Sequence, residues 1–191
     1  MNLPFNFQLT TARCRLRAPD QKDIPYIFSA TRYTGFNDGM LWDPPASEKE
    51  LQAPLERNLE TWRTGHAFTF TIEKKDGLEF AGRITIWPSS DPKVWNIGFW
   101  LHPTQQGQGL MTEAARAVVD LGFQRLGAET IEACYATWNG RSRRVLERVG
   151  MTEVEYLPQG FQKRGAWVPE YRMRIEKKQH AGSSAESAVP R

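Results

Sequence analysis

Apolar residues recur along this chain at two distinct periods. A period of two, the mark of a half-buried strand, runs through Arg13-Cys14-Arg15-Leu16-Arg17, Ala67-Phe68-Thr69-Phe70-Thr71-Ile72 and the segment from Phe80 to Trp87. The turn Lys75-Asp76-Gly77 lies between the last two and predicts an antiparallel hairpin. A helical period runs through Ile24, Tyr26, Ile27 and Phe28, and through Leu51, Leu55, Leu59 and Trp62. It returns through Met111, Ala114, Ala115, Val118, Val119, Gly122, Phe123 and Leu126. Asp20 is placed to cap the first of these helices, and Ser47-Glu48-Lys49-Glu50 has the capping-box spacing for the second. Thr64-Gly65 ends the second helix and Gly127 the third.

The strand from Val94 to Leu101 breaks the polar alternation. Trp95, Ile97, Phe99 and Leu101 face one way, and Asn96, Gly98 and Trp100 the other, so it is predicted to be internal. Thr130 to Thr137 reads as another strand, and Asn139 to Val149 as a short helix closed by Gly150. Glu153 to Tyr156 and Val168 to Ile175 read as the last strands, around a loop from Leu157 to Trp167. Residues 1–10 read as a loose lead-in and Gly35 to Pro45 as a loop. The pattern gives one domain over residues 11–177, with a small, polar tail over 178–191 that is expected to be disordered.

Composition narrows the class. The chain has 191 residues, 40% hydrophobic and 25% charged, which suits a globular domain with a substantial core. No apolar run has the length of a membrane span, and the N-terminus lacks the pattern of a signal peptide. Cys14 and Cys134 lack metal-ligand or redox-pair spacing. Both are read as free thiols of a cytoplasmic protein, with Cys134 in the core. The net charge of +3 suits an anionic ligand, and no basic-aromatic module calls for nucleic acid.

The most informative segment is Gln105-Gln106-Gly107-Gln108-Gly109-Leu110-Met111-Thr112-Glu113, between the internal strand and the long helix. A strand that delivers a glycine loop into a helix start collects free N–H groups at the positive end of the helix dipole, a setting for a phosphate. It is not a P-loop, because no Lys-Ser or Lys-Thr follows the glycines. It is not a dinucleotide fingerprint either, since Thr112 stands at the third glycine position and the junction lies past mid-chain.

Gln106-Gly107-Gln108-Gly109-Leu110-Met111 resembles the cofactor motif of the GNAT (Gcn5-related) acetyltransferase superfamily, Gln/Arg-x-x-Gly-x-Gly/Ala, with Met111 at the final position. Asn96-Ile97-Gly98-Phe99-Trp100-Leu101 is similar to the Ile-Gly-Tyr-Trp-Leu strand of the ribosomal-protein RimJ/RimL-type branch. The run from Asn139 to Met151 resembles that branch's Asn-x-x-Ser-x-Arg-Val-Leu-Glu-Lys-Leu-Gly-Phe signature. The resemblance implies an α/β (α+β) fold with a mixed, mostly antiparallel central sheet flanked by helices, whose splayed central strands form a coenzyme A cleft. It implies acetyl-CoA as co-substrate, and no metal. The amides of Gln108, Gly109, Leu110 and Met111, with the Thr112 hydroxyl, would hold the pyrophosphate, and Gln106 and Gly107 would bind the cofactor from the same loop. Backbone groups near Phe99, Trp100 and Leu101 would pair with the pantetheine arm, with Gly98 marking a bulge. Asn139 would bond the arm or cap its helix, and Ser142 would return a proton to the thiolate or face solvent. One arginine of the Arg141, Arg143, Arg144 and Arg148 cluster would meet a phosphate.

The acceptor amine must lose a proton to attack. Glu153 and Glu155 lie close to where the branch can carry an acidic base, one residue out of register, and are otherwise exposed strand carboxylates. His66 and His102 are alternatives on chemistry alone. Trp42 and Trp167 lie in loops that shape the acceptor site in this family. The leading reading is an acetyl-CoA-dependent N-acetyltransferase acting on a primary amine, such as a protein N-terminal α-amine. A small-molecule acetyltransferase for an antibiotic, polyamine or amino acid is the second, and a non-catalytic acyl-CoA-binding module the third. The partner is thus an amine acceptor, with no membrane or nucleic acid, and the protein a monomer or homodimer.

Overall fold

The computed structural model describes residues 2–178 and 180. Its strands are β1 (Gln8–Thr10), β2 (Cys14–Arg17), β3 (Phe68–Lys74), β4 (Phe80–Pro88), β5 (Val94–Leu101), β6 (Thr130–Ala136), β7 (Thr152–Lys163) and β8 (Ala166–Glu176). The α-helices are α1 (Ile24–Ala30), α2 (Gln52–Thr64), α3 (Leu110–Arg125) and α4 (Gly140–Val149). The strands form one sheet in the order β1-β2-β3-β4-β5-β6-β8-β7. Every neighbouring pair is antiparallel except β5 and β6. This is the mixed, mostly antiparallel, helix-flanked sheet that the resemblance implies.

Strand alternation divides the core in two. On one face Leu16, Phe70, Ile72, Ile84, Ile86, Ile97 and Leu101 pack with Ala114, Ala115, Val118 and Val119 of α3. On the other, Ile24, Ile27, Leu51, Leu55 and Phe80 form a second cluster, with Trp100 against it. The expected facing of β5 follows: Trp95, Ile97 and Leu101 join the larger core and Trp100 the smaller. Trp62 at the end of α2 is fully buried between Phe68 and Phe70, and its indole N–H donates to Leu3 O at 2.9 Å.

The second face also buries charge. Arg17 Nη2 meets Asp23 Oδ1 at 2.6 Å, Arg17 Nε meets Glu73 Oε1 at 2.6 Å, and Arg15 Nη2 meets Glu73 Oε2 at 2.6 Å. Burial alone would raise both carboxyls. Hydrogen bonds from Arg17 to each, with Thr71 on Asp23 and Arg15 on Glu73, outweigh it and hold both below their usual range.

Several expectations need correction. The lead-in contains β1, paired with β2 from Gln8↔Arg17 to Thr10↔Arg15. Asp20 caps the 3-10 turn Gln21–Asp23 that leads into α1, accepting from Lys22 N, rather than α1 itself, and Ser47 makes no side-chain cap bond. Glu50 Oε2 instead accepts from Ala46 N at 3.0 Å. The expected loop from Leu157 to Trp167 is mostly the continuation of β7 and β8, which turn only at Arg164-Gly165. Pro158 and Gly160 hide this extension, because the register shifts between Leu157 and Phe161 and breaks the alternation. Cys134 is exposed rather than in the core, on the opposite face of β6 from buried Ala133 and Tyr135. The tail expected to be disordered lies outside the described residues, apart from Lys178 and His180.

Candidate active site

Strands β5 and β6 pair only at Val94↔Thr130, Trp95↔Ile131 and Asn96↔Glu132. Beyond Asn96, β5 stays with β4 as far as Leu101, while β6 stays with β8 as far as Ala136. A cleft of about 1700 Å³ opens between them. Register shows which backbone groups border it. His102 N donates to Ala81 O of β4 at 2.8 Å, so by antiparallel alternation Trp100, Gly98 and Asn96 also turn their N–H and C=O groups to β4. Leu101, Phe99 and Ile97 turn theirs to the cleft. Gln106 Nε2 donates to Leu101 O at 3.3 Å, which agrees with this direction. Trp100 therefore has no free backbone for a partner in the cleft. It lends its side chain to the wall.

The bulge expected at Gly98 is absent. The β4–β5 register is unbroken from Gly82↔Leu101 to Pro88↔Trp95. Gly98 instead seats an indole: a Cβ there would lie 3.2 Å from Trp87.

The glycine loop closes one end of the cleft. Gly107 and Gly109 adopt φ of +80° and +76°, which an L side chain resists. Gly109 is the N-cap of α3, and the first helical bond runs from Glu113 N to Gly109 O. The amides of Leu110, Met111 and Thr112 precede that bond and have no helical acceptor. A cation that sequence reasoning missed stands beside them. Arg13 donates from Nη1 to Gln108 O at 2.8 Å, pairs through Nε with Glu113 at 2.8 Å, and approaches Gly109 through Nη2. Arg13 lies about a hundred residues before the loop, so only the packing of β2 against α3 reveals it.

Helix α4 supplies the facing rim. Asn139 Oδ1 accepts from Ser142 N at 3.1 Å and so caps α4. Both residues line the cleft, together with Arg141, Arg144 and Arg148 on one helix face. Arg143 points elsewhere, to Glu147. Arg141 Nη1 donates to Gln106 Oε1 at 2.7 Å, joining this rim to the glycine loop.

Neither carboxylate singled out in the sequence reaches the cleft. Glu153 accepts from Tyr135 Oη at 2.7 Å, and Glu155 from Arg172 at 2.6 Å. Glu170 does line it. Its register opposite Ala136 sets it on the same face as Cys134, and burial raises its carboxyl pKa. No motif marks Glu170, and only the β6–β8 register brings it here. His102 is buried, with Nδ1 2.7 Å from Thr104 Oγ1 and a pKa depressed by burial, and it lies outside the lining. His66 is exposed and also outside it.

Trp42 lines the cleft, but Trp167 is half-exposed on the hairpin away from it. The loop that carries Trp42 is tied to β7. Lys163 Nζ of β7 donates to Trp42 O and pairs with Asp43 Oδ1, both at 2.8 Å. Gly39 in the same loop packs on Trp138, where a Cβ would lie 3.2 Å from the indole. Arg83, a charged residue in mid-strand that no sequence motif marks, also lines the cleft. It is 8% exposed, and burial draws its pKa down to about 10. Among the described residues no cluster of metal-binding side chains occurs, and no helix is long and apolar enough to cross a membrane.

A sheet that parts beyond the parallel pairing of its two central strands, with a glycine loop leading into the helix after the first, defines an acyltransferase-like scaffold. The acetyltransferase (GNAT) domain matches residues 13–152. The chain belongs to this family and is an N-acetyltransferase. It is 25% identical over 165 residues to the uncharacterized N-acetyltransferase YnaD of Bacillus subtilis, covering 85% of this chain and 93% of YnaD. Mycobacterium smegmatis RimJ in complex with CoA-disulfide superposes with a TM-score of 0.80 at 22% identity, over 97% of this chain and 98% of that one. The ribosomal L7/L12 α-N-protein acetyltransferase RimL in complex with coenzyme A also gives 0.80, at 20% identity over 89% and 98%. At these identities the two structures establish the shared fold.

Proposed function

We propose that the protein transfers an acetyl group from acetyl-CoA to a primary amine presented end-on in the cleft. The observation that carries this reading is the presence of two sets of unpaired backbone donors beside one cleft. The amides of Leu110 to Thr112 suit a pyrophosphate, and the open edge of β5 at Phe99 and Leu101 suits the amides of an extended arm. Arg13, itself paired with Glu113, adds a guanidinium beside the loop. The face formed by Arg141, Arg144 and Arg148 suits a further phosphate.

When bound, acetyl-CoA supplies a thioester whose carbonyl carbon accepts the amine. The chain's residues do the rest. Glu170, with its raised pKa, takes the proton that the acceptor must lose, directly or through water. A β5 N–H directed into the cleft, such as that of Phe99, donates to the carbonyl oxygen as negative charge builds there. Ser142 at the α4 rim donates to the sulfur as its bond to carbon breaks. A thiol of pKa about 8.5 leaves readily, so this last contribution is small.

The bridge from Lys163 to Trp42 and Asp43 narrows the approach. It favours an acceptor of small cross-section, either a free amino compound or the first residues of a peptide, over a folded protein surface. The test is thiol release from acetyl-CoA with paired panels of small amines and short peptides, alongside calorimetry. Absence of acetyl-CoA binding would overturn the reading, and binding without turnover on either panel would point to a non-catalytic module.

A further inference from the structure

We infer that Arg83 forms a carboxylate subsite on the acceptor side of the cleft, so that the acceptor carries a carboxylate as well as its amine. This rests on the acetyltransferase reading above and extends it to the class of acceptor. Arg83 lies on β4 between Thr71 of β3 and Trp100 of β5, and it lines the same cleft as Trp42. Its Nε and Nη2 are buried and have no hydrogen-bond partner. The nearby carboxylate is already engaged. Asp23 Oδ1 accepts from Arg17 at 2.6 Å, and Oδ2 accepts from Thr71 at 2.6 Å and Asp20 N at 2.9 Å. Arg83 Nη2 stands 3.6 Å from that same oxygen, beyond a hydrogen bond.

Charge counting points the same way. Arg15, Arg17 and Arg83 surround only Asp23 and Glu73, so three positive charges face two negative ones. One positive charge is left over, before the more distant Lys22 is added. Buried charge of this kind is costly unless a partner completes it. The two orphan donors also specify a shape. The Nε–H and one Nη2–H of a guanidinium lie parallel in one plane, which matches the two oxygens of a carboxylate; both atoms are shut off from solvent here, so the guanidinium must turn toward the cleft to meet one. A single surplus charge matches a monoanion better than a phosphate dianion. Arg57 and Asn58 of α2 line the same cleft and extend its polar wall. The same surplus disfavours a polyamine, whose own charges are positive.

The test uses product-like probes. The full chain, loaded with CoA, is titrated with N-acetyl amino acids, with N-acetylated dipeptides carrying Asp second, and with the matching amides (Asn for the dipeptides). Calorimetry and thermal shift are the readouts. The carboxylate members should bind at least about tenfold more tightly than the amides. Whichever series shows the preference identifies the carboxylate as that of a free amino acid or of a peptide side chain. Arg83→Gln should abolish the preference while CoA affinity stays unchanged. Arg83→Lys keeps the charge but loses the fork, and it should retain the fold and lose most of the preference if the glutamine variant does not fold. Equal binding of acids and amides, no binding of either, or a preference that survives in Arg83→Lys would overturn the inference. Failure of the chain to bind CoA at all would instead strike the acetyltransferase reading.

Discussion

Glu113, in the first turn of α3, is held by Arg13 from about a hundred residues away, through the side-chain Nε at 2.8 Å and the backbone N–H at 2.6 Å. Thr11 Oγ1 donates to the same carboxylate. Burial would raise the Glu113 carboxyl, yet the hydrogen bonds from Thr11 and Arg13 prevail and keep it below its usual range. The start of α3 is therefore fixed to the turn between β1 and β2, and the Arg13 guanidinium is aimed at the glycine loop. Arg13→Gln should weaken acetyl-CoA binding by about tenfold, the worth of one charge-assisted contact. Calorimetry at two salt concentrations checks this, and the variant should show the shallower salt dependence.

Gly109 tests the loop from the backbone side. Valine at φ +76° costs at least about 1–2 kcal/mol locally and moves the amides of Leu110 and Met111. Gly127→Ala, also at positive φ but past the end of α3, is the matched control. Both variants should lose stability in denaturant titrations, while only Gly109→Val should lose acetyl-CoA affinity.

Glu170 should govern the acidic limb of the pH–rate profile. Burial raises its pKa, so the deprotonated base is present above that raised value and is lost as pH falls through it. The limb should therefore lie above the ordinary glutamate value of about 4.3. Glu170→Gln should reduce kcat by about 10²–10⁴ and remove the limb, whereas Glu153→Gln, whose partner is Tyr135, should leave it in place. Ser142→Ala should cost less than about tenfold, because the thiolate needs little help to leave.

Most elements that build the site were legible from the chain. The β5 alternation, the Gly107–Gly109 loop and the Asn139 cap are local features, set by side chains within a few positions of one another. Arg13, Glu170 and Arg83 were not legible, because each gains its place from a partner far off in sequence: Glu113, Ala136 and Trp100. The β7–β8 extension failed for another reason. The register shift between Leu157 and Phe161 breaks the two-residue period on which a strand reading depends. Cys134 misled because cysteine counts as apolar, although it shares its strand face with Thr130 and Glu132 rather than with Ile131, Ala133 and Tyr135, and its own side chain is exposed.

Asp23 should set the acid stability of the fold. Asp23 and Glu73 both have lowered pKa values, so their stabilisation is complete above the unfolded carboxyl range near about 4. It is lost as pH falls from that range through their folded values. Asp23→Asn leaves Arg17 with Glu73 alone and Arg83 without the carboxylate nearest to it, and should cost about 3–5 kcal/mol at neutral pH. Urea titrations across pH should show a flatter acid dependence in the variant than in the parent.

The parting of β5 from β6 leaves a bare strand edge inside the protein, where others of its kind are covered by a neighbour or guarded by charge. An arm that settles along this edge would act as a borrowed strand, and the folded state would share in its binding energy. With donor at a hundred times its dissociation constant, that share is about 2.7 kcal/mol. Resistance to proteolysis would then rise and fall with the supply of acetyl donor, making the protein's persistence a record of the metabolic state around it.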